Sequence, residues 1–436
     1  MLKNYKIPNG KMLSAERYTS SQVPGLDQVF EGLPPRTVVK AVLHPAVGSN
    51  INLEIWLSDK DKWNNRFLGL GNGGPAGKIN PAIFIDGIKR GYAVVSTDMG
   101  TAPDPDSGIE NEEVWKDFGF RATHLMTVVG KQIVEAYYGT LPTYSYFCGK
   151  STGGQQALQE AQRYPDDYDG IVSGVPAHCR TPLHAYFLWN YQIFQECHFS
   201  EEQEKNIIAA AFEHMAEREV PQIAGRMISD PRCNSEDIDA VIALAAKKDR
   251  TLSEKHLAAL RKLFDGPKHL TTNERIFNGI PLGSTFDIAC GNLYLFNWVF
   301  GADKDLTAID FGKDIDTYTM ALGPYLNAEN PDLSVFEKRG GKLIMYSGAA
   351  DSCVPYHATL DYYDRVVDHF ASYDKVKDFF SFYIIPGMSH GLGPGINDLP
   401  DFLDLIVNWR EDGASPGAIR GRQIIDGEVK IDIPLY

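Results

Sequence analysis

Apolar residues along the chain cluster in short runs bounded by turn formers. Thr37–Leu43 and Ile51–Leu57 read as strands, and the second alternates apolar with polar positions, as a half-exposed strand does. Arg66–Leu70 and Tyr92–Ser96 are short, apolar and turn-bounded, which suits central parallel strands. An amphipathic helix is expected over 119–137, followed by a buried strand at Tyr144–Cys148, helix formers at Gln155–Ala161 and another buried strand at Ile171–Gly174. From Pro176 the pattern changes. Residues 177–335 are helix-rich, with aromatic clusters such as Tyr186–Trp189 and Leu293–Trp298 and few strand patterns. Lys342–Ser347 and Phe379–Ile385 restore the buried-strand rhythm around a helix expected at 358–371, and a last helix is expected over 400–412. Strands alternating with helices predict an α/β fold with a mostly parallel sheet flanked by helices. The sheet domain then comprises residues 1–176 and 336–436, with 177–335 inserted as a large helix-rich lid.

The junction between Tyr144–Cys148 and Gln155–Ala161 carries the most chemistry. Gly149-Lys150-Ser151-Thr152-Gly153 has the form Gly-x-Ser-x-Gly between a strand and a helix, the layout of a nucleophile elbow. Flanking glycines permit so tight a turn that Ser151 stands exposed at the helix mouth. There the Thr152 N–H and the helix N-terminus can stabilise an oxyanion. The same residues contain the tail of a phosphate loop, but that motif needs a glycine five positions before Gly149, where Tyr144 stands.

A serine nucleophile requires a base, and the base a carboxylate to orient it. Such elbows are followed in chain order by the acid and then the histidine, each on a loop after a strand. Asp351 follows the strand 342–347 through Gly348-Ala349-Ala350, and His390 follows the strand 379–385 through Pro386-Gly387-Met388-Ser389. Asp351 also suits a helix N-cap, a role that Ser352 can share. The second oxyanion donor is expected from the glycine-rich loop Gly71–Gly77, at Gly73 or Gly74.

Composition narrows the partners. The net charge of -15, from 42 basic and 57 acidic residues, argues against a nucleic-acid binder, whose phosphates need basic surface. At 436 residues and 43% hydrophobic, the chain can bury large cores and is expected to form two to three units. Residues 1–10 hold no apolar core of signal-peptide length, and no run approaches the ~18 apolar residues of a membrane span. The six cysteines form no CxxC pair. The expectation is a soluble, cytoplasmic protein with reduced thiols, no zinc framework, no membrane partner and a small-molecule substrate.

Taken in order, these segments resemble the tannase and feruloyl esterase family of α/β hydrolases. The resemblance runs through Gly71-Asn72-Gly73-Gly74, Val95–Gly100, Phe118–His124, Tyr137-Tyr138-Gly139, Ser151-Thr152-Gly153-Gly154 and Gly174–Ala177. It continues through Pro386–His390, Gly393-Pro394-Gly395, Asn408-Trp409 and Gly413–Pro416, and is weakest in the lid. It implies an α/β-hydrolase fold and a serine carboxylic ester hydrolase that needs no cofactor. Its expected substrates are phenolic acid esters such as feruloyl, caffeoyl or galloyl esters. The same triad could serve non-phenolic esters, lactones or carbon–carbon bonds, and the remaining alternative is a hydrolase-like binding protein without turnover. Family members usually join a cysteine before the serine to one after the histidine; here Lys150 and Gly391 stand there, so that disulfide is not expected. Lys150 becomes a candidate for binding a substrate carboxylate, against a plain solvated lysine. Many members also bind calcium in the lid, and Ser229–Cys233 is similar to part of that site. The preceding Val220–Arg226 supplies no carboxylates, so no metal is expected.

Overall fold

The computed structural model describes residues 2, 5–23, 26, 28–216, 227, 231–286, 293–391, 393 and 395–435. Eleven strands are present among them: β1 (Gly10–Tyr18), β2 (Arg36–Leu43), β3 (Ile51–Ser58), β4 (Arg66–Leu70), β5 (Ala93–Thr97), β6 (Tyr144–Lys150), β7 (Gly170–Gly174), β8 (Lys342–Gly348), β9 (Phe380–Ile385), β10 (Ile419–Ile425) and β11 (Glu428–Leu435). Nine form one sheet in the order β1-β2-β3-β5-β4-β6-β7-β8-β9, while β10 and β11 form a separate hairpin. From β5 through β9 every neighbouring pair is parallel, and β1, β2, β3 and β5 pair antiparallel.

Both faces of this sheet are covered, which is why its central strands are apolar without alternation. On β4, β5, β6 and β8, Phe67, Val95, Phe147 and Leu343 enter one hydrophobic core, while Leu68, Val94, Tyr146 and Ile344 enter the other. The expected half-exposure of β3 is not what the fold adopts. Its Glu54 is buried, where it accepts a hydrogen bond from Trp56 Nε1 at 2.7 Å and pairs with Lys40 at 3.4 Å. Local partners thus let an alternating sequence sit inside a covered sheet.

The helix expected over 119–137 spans Ala122–Tyr138 and is preceded by a π-turn at Asp117–Arg121. The helix after β6 starts at Thr152 and runs to Arg163. The last one, Phe402–Asp412, is capped by Asp401, whose carboxylate accepts from the amides of Leu403 and Asp404, and it ends at Gly413 in the left-handed conformation.

Between β7 and β8 the described residues form helices at Arg180–Glu196, Glu201–His214, Ser235–Lys248, Glu254–Asp265, Tyr294–Phe300, Lys313–Leu326 and Ser334–Lys338. They divide between two cores. Ile207, Val241, Leu260 and Phe286 pack in a core of their own that also takes in Cys353 and Val354 from beyond β8. Phe296, Trp298, Tyr318 and Leu322 instead join the core on one face of the sheet. No helix among the described residues is long and apolar enough to cross a membrane.

Candidate active site

Ser151 follows the last residue of β6 and precedes the first residue of the next helix, with φ 58° and ψ -116°. A non-glycine residue held at positive φ costs roughly 1–3 kcal/mol, so its surroundings must impose it. They do so through close backbone contacts. A Cβ on Gly149 would lie 2.1 Å from the Gly153 carbonyl oxygen, and one on Gly154 would lie 2.7 Å from that of Gly174. Ser151 N–H donates to Gly174 O at 2.9 Å, and Ala177 N–H donates to Ser151 O at 3.0 Å, which fastens the turn to the end of β7.

Asp351 lies three residues beyond β8 and is fully buried. Its Oδ1 accepts from the amides of Cys353 at 2.9 Å and Val354 at 2.8 Å, and its Oδ2 is 2.9 Å from His390 Nδ1. One carboxylate therefore organises its own turn and also faces the histidine. The helix beyond starts at His357 with Tyr356 in the cap position, so Asp351 is not its N-cap. His390 follows β9 and is partly exposed. Its loop is tied to that of Asp351 by Ala350 N–H donating to Met388 O at 3.0 Å. A proton on Nδ1 directed at Asp351 leaves Nε2 as an acceptor, the tautomer that a base toward Ser151 requires. Ser151 and His390 make no direct hydrogen bond with each other in this structure.

The glycine-rich loop after β4 is locked onto the start of the elbow helix. Gly153 N–H donates to Asn72 O at 2.8 Å, Asn72 N–H to Gln156 Oε1 at 2.8 Å, and Asn72 Nδ2 to Thr97 O at 2.6 Å. Thr152 Oγ1 donates to Gly74 O at 2.6 Å, bringing Gly74 to the elbow. Gly74 lines the cleft around Ser151 together with Thr152, while Gly73 does not. The amides of Thr152 and Gly74 have no acceptor among the described residues.

Sequence reasoning missed the other walls of this cleft. Arg180, His184 and Tyr294 line it, and all three come from helices of the inserted block. A lone arginine at a helix start carries no motif; its one signal is its position just after Gly174-Val175-Pro176-Ala177. Burial drives the His184 pKa well below its ordinary value, so that the ring is neutral. Burial likewise pushes the Cys353 thiol up to about 12, leaving it protonated beside the site. Lys150 is exposed, makes no ion pair among the described residues and is not part of the cleft wall.

Residues 220–226, 229 and 230 of the calcium-like segment, Cys290 and Pro394 lie outside the described residues. Among those described, His124, Glu160 and Asp167 are a group spaced as metal ligands. Burial, reinforced by the charge of Asp167, raises the Glu160 pKa well above its ordinary value, which favours its neutral form. That is an acid pair beside a histidine, not an open set of anionic ligands.

Candidate nucleophile, acid and histidine stand at the carboxyl ends of β6, β8 and β9 in a mostly parallel, helix-covered sheet, and that architecture is an α/β hydrolase. The family model for tannase and feruloyl esterase matches residues 37–298 and 288–430. The chain belongs to the tannase and feruloyl esterase family and is by class a carboxylic ester hydrolase. It is 29% identical over 420 residues to a probable feruloyl esterase of Arthroderma benhamiae, covering 86% of this chain and 76% of that protein. It is 27% identical over 414 residues to feruloyl esterase B of Aspergillus niger, covering 86% and 77%. Its fold matches the crystal structure of feruloyl esterase B from Aspergillus oryzae with a TM-score of 0.85 at 22% identity, covering 99% of this chain and 93% of that one.

Proposed function

We propose that this chain hydrolyses esters of small phenolic acids, such as feruloyl, caffeoyl or galloyl esters, through an acyl-enzyme on Ser151. The observation that carries the reading is the strained Ser151 at a helix mouth, in a family of esterases, with a hydrogen-bonded His390–Asp351 pair on neighbouring strand ends. His390 Nε2 takes the Ser151 hydroxyl proton as the oxygen attacks the ester carbonyl. The tetrahedral oxyanion accepts hydrogen bonds from the amides of Thr152 and Gly74. Collapse expels the alcohol, which receives the proton from His390. Water, deprotonated by the same ring, then releases the acid. Throughout, Asp351 holds the imidazole in one tautomer and stabilises its charged form.

A fluorophosphonate probe should label Ser151, and Ser151→Ala should abolish labelling and lower the hydrolysis of methyl ferulate and methyl gallate by several orders of magnitude. Near-normal turnover by a folded Ser151→Ala protein would remove the assignment. We also propose that the protein works in the cytoplasm, a reading supported by free thiols at Cys148, Cys179, Cys197 and Cys353. Cell fractionation tests it, and recovery outside the cytoplasm would refute it.

A further inference from the structure

The second oxyanion donor sits in a loop that side-chain packing does not hold. A Cβ on Gly73 or on Gly74 would meet nothing within 4 Å. Hydrogen bonds at the two ends of Asn72-Gly73-Gly74 therefore decide where the Gly74 N–H points. At one end the Thr152 hydroxyl donates to Gly74 O, from within the site itself. At the other end stands Gln156, which is not part of the cleft wall. It is fully buried, four residues beyond Thr152 and so one helical turn along the same face. Both ends of its carboxamide are committed. Oε1 accepts from Asn72 N–H at 2.8 Å, and Nε2 donates at 2.8 Å to Oγ1 of Thr123, itself 1% exposed on the helix Ala122–Tyr138. In return Gly153 N–H donates to Asn72 O at 2.8 Å. This is a capping box formed between two segments: the loop peptide satisfies a free amide of the helix's first turn, and a helix side chain satisfies the loop peptide. The backbones themselves touch there, since a Cβ on Gly71 would lie 2.5 Å from Gly153 Cα.

We propose that Gln156 is a positioning residue for the oxyanion hole, its carboxamide fixing the Asn72 peptide and thereby the direction of the Gly74 N–H. The hollow that Ser151, Thr152 and Gly74 help to line holds about 20 Å3, room for about one water. Such a space suits a single oxygen atom, the one that becomes the oxyanion, and a donor displaced by about an ångström no longer serves it. A methionine at 156 keeps the length of the side chain but offers no acceptor for the Asn72 N–H. The loop can regain a partner for that amide only by turning the peptide away. Thr152 Oγ1 still holds Gly74 O, so the donor is loosened and not lost. Outright loss of one oxyanion donor costs roughly 10²–10³ in kcat, so a loosened one should cost about ten- to hundredfold. The loss belongs in kcat, because the bond strengthens as negative charge develops on the oxygen. This deepens the esterase reading and rests on Ser151 as its nucleophile.

The test measures kcat and KM of the wild type, Gln156→Met, Thr123→Val and Thr123→Ser on methyl ferulate and on its thionoester. Active sites are counted by fluorophosphonate labelling, and melting curves follow the fold. Sulfur is a poor hydrogen-bond acceptor, so a defect in the oxyanion hole weighs on the oxoester and spares the thionoester. Gln156→Met should lower kcat on methyl ferulate about ten- to hundredfold with KM within about twofold, and should shrink the oxo-to-thiono ratio by a similar factor. Affinity for the trifluoromethyl ketone analogue, whose adduct with Ser151 carries an oxyanion, should fall by that same factor. Thr123→Val leaves Oε1 on Asn72 but frees the far end of the carboxamide. It should show the same signature at smaller size, and it keeps the question answerable if Gln156→Met does not fold. Thr123→Ser retains the hydroxyl and should behave as the wild type. A lowered melting temperature with kcat per labelled site and the oxo-to-thiono ratio unchanged would overturn the proposal and leave Gln156 with a structural role only. Equal losses on the two esters would overturn it as well. A wild type that neither turns over esters nor takes the label would refute the esterase reading and this proposal together. An active, labelled wild type with an unmoved ratio in the folded variants would refute this proposal alone.

Discussion

Asp351→Asn probes the reasoning most directly, because the structure says which way the new amide must turn. Two backbone donors, Cys353 N–H and Val354 N–H, converge on Oδ1 at 2.9 and 2.8 Å. Turning the NH2 group toward them would leave two buried amides unpaired, at about 1–3 kcal/mol each. The carboxamide oxygen therefore stays on those amides, and the NH2 group faces His390. Two donors cannot share that contact, so His390 must present an unprotonated Nδ1 and carry its proton on Nε2. The ring is then a donor toward Ser151 and no longer its base. Loss of the tautomer together with the charge that stabilises imidazolium is expected to cost about 10³–10⁴ in kcat/KM, or about 4–5.5 kcal/mol at 1.36 kcal/mol per tenfold. The fold should persist, because the turn keeps its acceptor. The assay is steady-state hydrolysis of methyl ferulate across pH, with a melting curve as control. A folded Asp351→Asn protein within tenfold of wild type would refute the role given to this carboxylate.

Lys150→Met should change kcat/KM on neutral and carboxylate-bearing esters by the same small factor, since the side chain is exposed and off the cleft wall; a selective loss on anionic esters would give Lys150 a role in anion recognition. A chelator should alter neither activity nor melting temperature, and a loss restored by calcium would overturn the reading of the lid. Glu411 gives a pH-dependent test: burial raises its pKa, but the fork of Arg66 and the Tyr146 hydroxyl outweigh it and hold the carboxyl below its ordinary value. Its stabilising share is present above the unfolded-state pKa of about 4.3 and is lost as pH falls through the lower folded value. Glu411→Gln should therefore lower the melting temperature at pH 7, by about 1–3 kcal/mol of stability, and flatten its decline below about pH 4. An unchanged acid limb would refute this.

The sheet was legible because its parallel strands are buried on both faces, and continuous apolar runs such as those of β6 and β8 have few other uses. The edges were not. β1 exposes much of its length, and its Lys11, Glu16 and Arg17 mask the strand pattern; β10 and β11 are likewise half polar. In the candidate site, turn chemistry and chain order were enough to single out Ser151, Asp351 and His390 as candidates. Gly73 and Gly74 were indistinguishable, since what separates them is the long-range bond from Thr152 Oγ1 to Gly74 O. Arg180 was invisible for the same reason: its burial in the cleft wall is a property of the packed chain.

Cys353 and Val354 serve two structures at once. Their side chains belong to the apolar core of the inserted helices, and their amides hold Asp351. The insertion is thus no hinged flap that could be trimmed to leave a minimal esterase. Whatever loosens that core, whether heat, a protease cut or a deletion between β7 and β8, slackens the turn carrying the acid before the sheet itself gives way. Inactivation should accordingly run ahead of global unfolding, with the sheet still formed when turnover has already gone.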